Sequence, residues 1–176
     1  MSEHDENFSR LVRAAQIKEA PQAFDLVVDA PARRHLAAAF GLPGIAALRG
    51  RFALHHEAGG VIAATLHITA QVTQTCVITL EPVDQTIDET VALRFVPAAM
   101  IPEAEDSAEL DPETLDGPDE IPFTGDKIDL GAALTEQLAL SLDPYPRKPG
   151  AALPAEAMDS AANPFAALRK LSDKEE

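Results

Sequence analysis

Cys76 and the histidines His4, His35, His55, His56 and His67 carry the side chains best suited to holding a metal, because thiolate and imidazole are the usual ligands of zinc. A closed tetrahedral site needs four such ligands, and this chain has one thiol. His55 could approach His67 across a hairpin. Adjacent His55 and His56 would nonetheless point to opposite faces of a strand, and no carboxylate has a matching spacing. Neither a metal site nor a cofactor is expected. Strand parity puts Cys76 on an apolar face with Ile78 and Leu80, which describes a buried, inert thiol. Ser9, Ser107, Ser141, Ser160 and Ser172 lack a nucleophile-elbow context, and the chain has no P-loop or dinucleotide fingerprint. The run D-P-E-T-L-D-G-P-D-E lacks the register of a calcium loop. No catalytic residue is assigned, and a non-catalytic binding protein is the reading that remains.

Charge gives a sharper signal than chemistry. The formal charge is −15, and it is unevenly spread. Residues 1–80 hold seven acids and seven Lys or Arg, whereas residues 81–126 hold fourteen acids against Arg94 alone. A phosphate backbone would be repelled by that middle, and a basic protein would be attracted to it. Arg33 and Arg34 at a helix start and Arg49 and Arg51 on an outer strand face are the candidate RNA-contacting cations of the first half.

The elements that must position these residues follow from periodicity. Gln22–Asp29 alternates as a strand, Phe8–Glu19 leans to a strand, and Pro31 opens a short helix to Phe40 that Gly41 and Pro43 end. Ile45–His56 and Val61–Leu80 alternate as partners of a hairpin. A three-residue turn at Ala58–Gly60 would oppose Leu54 to Ala64, Phe52 to Leu66 and Arg51 to His67, keeping apolar with apolar. The faces then read Ala46, Leu48, Phe52 and Leu54 inward, and Arg49, Arg51, Ala53 and His55 outward. Thr86–Val96 adds a strand with Ile87, Val91, Leu93 and Phe95 inward and Glu89 as the exception. Residues 97–126, rich in Glu, Asp and Pro, read as an acidic loop.

The block Ile128–Gly150, I-D-L-G-A-A-L-T-E-Q-L-A-L-S-L-D-P-Y-P-R-K-P-G, is the most ordered pattern in the chain. Asp129 suits an N-cap; Leu130, Leu134, Leu138 and Leu142 form one apolar face, and Glu136 points away. Pro144 stops the helix, and Pro146 and Pro149 hold the next segment extended, presenting Arg147 and Lys148 at low entropic cost.

This block resembles the I-D-L…L-x-E-x-L-x-L-x-L-P-x-x-P pattern of the DUF177 or YceD family of bacterial and plastid proteins. Two further landmarks fit: T-C-V-I-T-L-E-P-V at 75–83 is similar to the family's C-x-R-C-L-E-P-V, and N-P-F-A-A-L-R-K-L at 163–171 to its closing segment. Thr79 stands where the second cysteine of the C-x-x-C would be, and the cysteine-rich block of many members is missing. The resemblance implies a role in accumulation of large-subunit ribosomal RNA.

The expected fold is α+β: a mainly antiparallel sheet that could curl toward a barrel, a short helix near 32–40, a packed helix at 129–142 and a short C-terminal helix from Asn163–Pro164 to Leu171. One domain at 8–150 would follow a disordered 1–7 and precede a linker and helix at 151–176. The expected function is that of a non-catalytic factor binding a ribosomal assembly protein, with Asp129, Glu136, Pro144, Tyr145, Pro146, Arg147 and Lys148 at the contact and large-subunit rRNA reached indirectly. A carrier of a basic ribosomal protein is the alternative, and a small-ligand barrel the third. Neither an apolar run of ~20 residues nor a signal core is present, so a cytoplasmic protein with no membrane partner is expected.

Overall fold

Alternating apolar and polar residues over 44–97 build three long strands, and the other described elements pack on or beside them. The structure is a computed structural model and describes residues 8–101 and 117–152. In chain order the elements are β1 (Leu11–Arg13), β2 (Gln22–Val27), α1 (Ala30–Ala39), β3 (Gly44–His56), β4 (Ile62–Thr75), β5 (Pro82–Pro97), β6 (Asp119–Phe123), β7 (Lys127–Asp129) and α2 (Leu130–Ser141). Five strands form one sheet in the order β2-β3-β4-β5-β6, and β1 pairs with β7 in a separate ribbon. All pairs are antiparallel except β5–β6. The fold is therefore α+β, as expected. The expected 1–7 disorder and the C-terminal helix ending at Leu171 lie outside the described residues.

The hairpin register is the predicted one. Leu54 opposes Ala64, Phe52 opposes Leu66 and Arg51 opposes His67, with a turn over Ala58–Gly60. Gly59 and Gly60 take φ of 76° and 84°, a region closed to most side chains. The inner face carries Phe52, Leu54, Ile62, Leu66, Ile68, Leu93 and Phe95, all essentially fully buried. α2 lies over that face with Leu130, Leu134 and Leu138 buried. Gly50 lets it approach: a Cβ there would stand 2.8 Å from Leu134 Cδ1. Burying a leucine side chain contributes about 1.5–3 kcal/mol, so these three anchor the helix. α1 packs beside β3, capped by Asp29, whose Oδ1 accepts from Ala32 N at 2.9 Å.

Four expectations need correction. The sheet does not close into a barrel, since β2 and β6 end it as edges and α2 fills the inner face. A register shift between Ile45 and Ala47 leaves Ala46 exposed and brings Ile45 to the core in its place, while Leu48 is buried as expected. β4 stops at Thr75, and Leu80 is 76% exposed, because the chain turns sharply from Cys76. The acidic stretch 97–126 contains the parallel edge strand β6, where Pro122 is tolerated because an edge leaves one side unpaired.

Candidate functional site

The block after α2 is held in place from both ends. At the start of α2, Asp129 Oδ1 accepts from Gly131 N and Ala132 N, the N-cap expected of it. The same carboxylate also accepts from Arg10 N at 2.8 Å and from Ser9 Oγ, so it ties the amino-terminal segment to the helix. Burial pushes its pKa up, but the bonds from Ser9, Arg10, Ala132 and Gly131 outweigh that and hold it below the usual carboxylate value.

At the other end no glycine terminates the helix; two glutamines do that work. Gln85 Nε2 donates to Ser141 O at 3.0 Å, and Gln74 Nε2 donates to Asp143 O at 2.9 Å. The first satisfies a carbonyl that the helix end leaves without a partner, and the second holds the chain just beyond the C-cap Leu142. Glu89, the exception on the inward face of β5, accepts from Ser141 Oγ at 2.7 Å.

Beyond the helix, the proline-braced segment is fastened to the turn between β4 and β5. Val77 N donates to Pro146 O at 2.9 Å, Lys148 N to Cys76 Sγ at 3.3 Å, and Lys148 Nζ to Glu81 Oε2 at 2.9 Å. Pro146 is buried in this junction. The ion pair raises the Lys148 pKa and lowers that of Glu81, chiefly through the direct hydrogen bond between them. Both side chains are about half exposed, so the pair adds little stability.

Cys76 is buried, as expected, and its sulfur accepts hydrogen bonds. The Thr79 side chain, the Lys148 amide and the Thr79 amide bond to it and lower its pKa from 9.0 to about 6, against the opposing effect of burial. Thr79 thus turns toward the sulfur from the position of the missing second cysteine. Among the described residues no group of His, Cys, Asp and Glu could hold a metal ion.

The outcome is a braced end with an apolar surface. Val77, Leu80 and Tyr145 are 48%, 76% and 70% exposed, on two segments that are hydrogen-bonded to each other. Leu80 has φ of 60°, a left-handed conformation that costs a non-glycine residue about 1–2 kcal/mol. Its exposed side chain recovers none of that by burial. Pro144, Arg147 and Lys148 are exposed beside Tyr145.

The candidate contact residues do not form one patch. Asp129 is occupied by capping and lies a helix of twelve residues away from the brace, about 18 Å. Glu136 is exposed midway. Nor do the four candidate RNA-contacting arginines act alike. Arg33 donates to the Val28 and Ile45 carbonyls, and Arg51 pairs with Asp25 at 2.8 Å. Arg34 is exposed on α1, and Arg49 is exposed on the outer sheet face, where His67 pairs with Asp88 nearby at 2.7 Å. Sequence reasoning missed Gln74, Gln85 and the turn at Leu80; the available signal was two amides at inward positions of otherwise apolar strands.

Fold and site together define an open-sheet α+β protein whose most developed surface is a tied-down end. A family model described as Large ribosomal RNA subunit accumulation protein YceD matches residues 64–172, and the chain belongs to that family. The match runs from β4 through the brace, so it contains every tie of α2 and the brace described above except those to Ser9 and Arg10. The family's name gives a role in large-subunit rRNA accumulation. Neither a curated protein nor a solved structure gives a match to the chain. Among the described residues no helix is long and apolar enough to cross a membrane.

Proposed function

We propose that this protein supports large-subunit rRNA accumulation as a non-catalytic factor that binds a ribosomal assembly protein on its braced end. The observation that carries the reading is Leu80: an exposed leucine in a strained backbone conformation, beside exposed Val77 and Tyr145, on a turn held by hydrogen bonds within itself and to the brace. Strain retained without a return in burial points to a surface used by something else. Fixing the turn and brace in advance lowers the entropy lost on binding. The acidic stretch 81–126 supplies long-range attraction for a basic partner and raises the on-rate.

The test replaces the native protein in its own organism with a Tyr145→Ala/Leu80→Gly variant. The expected result is a fall in large-subunit rRNA to the level of the depleted strain, with unfolding of the purified variant at or above the wild-type temperature. Full complementation would remove the braced end from the function. Retention of one free basic ribosomal protein after ribonuclease, with no assembly protein, would favour the carrier reading instead.

A further inference from the structure

We propose that Arg10, Arg13 and Lys127 form a cleft that holds the phosphodiester backbone of a single RNA strand. The residues come from opposite ends of the folded chain and meet only because β1 pairs with β7. Arg13 and Lys127 are directly opposed in that ribbon, so two cations face each other across about 5 Å. Like charges in this position destabilise a strand pair unless an anion lies between them. Two acids lie near them: Asp126 reaches Arg13 at 4.0 Å with both side chains more than 60% exposed, which is a weak pair, and the Asp129 carboxylate is taken up by the amides of Arg10, Gly131 and Ala132 and by Ser9 Oγ. Arg10 stands three residues from Arg13, and all three cations line one cleft of ≈ 350 Å³ with Leu11, Val12, Gln16 and Phe24. No carboxylate belongs to that lining.

The layout selects the ligand. A small anion can bridge Arg13 and Lys127, and Arg10, about 10 Å further along an extended chain, lengthens the row of cations in the direction a strand would run. Successive phosphates of one strand reach all three. The Phe24 ring, half-buried in the same lining, offers a base the stacking surface typical of single-strand sites. The outer sheet face is a poorer site for RNA, because Asp25, Asp84, Asp88 and Glu120 stand among its cations. The cleft is separate from the braced end and does not depend on that reading, so each can fail alone.

The experiment is fluorescence anisotropy of the full-length protein with a short labelled single-stranded oligoribonucleotide at increasing salt. With three phosphate contacts, affinity should fall with a log–log slope of about −2, roughly 20-fold between 50 and 200 mM salt. Arg10→Gln/Arg13→Gln/Lys127→Gln should lose at least tenfold at the lower salt, Phe24→Leu several-fold with the slope unchanged, and Arg49→Gln nothing. In the absence of RNA, Lys127→Gln should unfold at or above the wild-type temperature, because it removes a repulsion. Failure of the wild type to bind, an unaffected triple variant, or an equal loss in Arg49→Gln would overturn the proposal. So would a Lys127→Gln protein of reduced stability, which would make the cations part of the fold, or an oligoglutamate that competes as well as the RNA.

Discussion

Replacing Gly131 by alanine sets two physical effects of opposite sign against each other. Helix propensity alone favours alanine over glycine by about 1 kcal/mol. A Cβ at this position would, however, lie 2.6 Å from Phe8 O, 2.7 Å from Arg10 N and 2.8 Å from Ser9 Cα. All three are backbone atoms, so residues 8–10 must retreat by several tenths of an ångström. That movement stretches the bonds from Arg10 N to Asp129 Oδ1 at 2.8 Å, from Leu130 N to Arg10 O at 3.0 Å, and from Ser9 Oγ to Asp129. Each is worth about 1 kcal/mol, and overpacking typically costs about 1–3 kcal/mol. After the propensity gain the net loss is about 1–2 kcal/mol, a fall in Tm of roughly 3–6 °C for a domain of this size. Urea unfolding of Gly131→Ala beside the wild type measures it. Hydrogen exchange should show the Arg10 and Leu130 amides losing protection more than amides in β4. A variant that unfolds at higher urea would show that the crossing of residues 8–10 over the helix start is looser than the contact distances require, and the argument would fail.

Leu80→Gly should raise stability by about 1 kcal/mol, since glycine adopts φ of 60° without strain; a lower urea midpoint would refute the strain argument. Cys76 should make stability depend on pH: its folded-state pKa of about 6 lies below the unfolded value near 9, so its contribution is complete above the unfolded value and is lost as pH falls through about 6. Cys76→Ala should flatten the urea midpoint over that interval, and an unchanged pH dependence would remove the thiolate from the fold. Gln85→Ala strips partners from Ser141 O and Asp143 N and should cost about 1–2 kcal/mol, with exchange quickening at the end of α2 before its start; uniform quickening would count against a local cap.

How much could be read in advance depended on how far apart in sequence the cooperating residues lie. The β3–β4 hairpin joins neighbours, and one constraint, that apolar must oppose apolar, decides between a two- and a three-residue turn. Its register could therefore be worked out from residues 45–72 alone. Asp129 and the leucines of α2 were legible for the same reason, since an N-cap and an i+4 stripe are local. Periodicity misled at Ala46, where a bulge changes which residues face the core, and at Ile78 and Leu80, where alternation in sequence continues after the strand has stopped. The turn is set there by bonds to Cys76 Sγ from Thr79 and Lys148, and the second of these comes from 72 residues away. β6 was hidden by its composition: an edge strand needs one paired side only, so acids and Pro122 do not prevent it.

The same dependence on sequence separation explains why site residues were harder to find than fold. Net charge of −15 argues against contact with RNA when the chain is treated as one body, but binding depends on charge within a few ångströms, and folding redistributes it. The β1–β7 pairing gathers Arg10, Arg13 and Lys127 from positions more than a hundred residues apart, while the conspicuous pair Arg33 and Arg34 is divided between a backbone tie and open solvent. The acidic stretch is divided as well: Glu81 and Asp84 stand at the brace end of β5, and the part beyond residue 97 follows the other end. Its first described flank, beside Pro97, and the brace, beside Pro82, stand at opposite ends of β5. At about 3.3 Å per residue that strand separates them by roughly 50 Å, several Debye lengths at physiological salt. A partner that uses both must be long enough to touch both, and neutralising the acids should then slow its association without altering the contact at Tyr145.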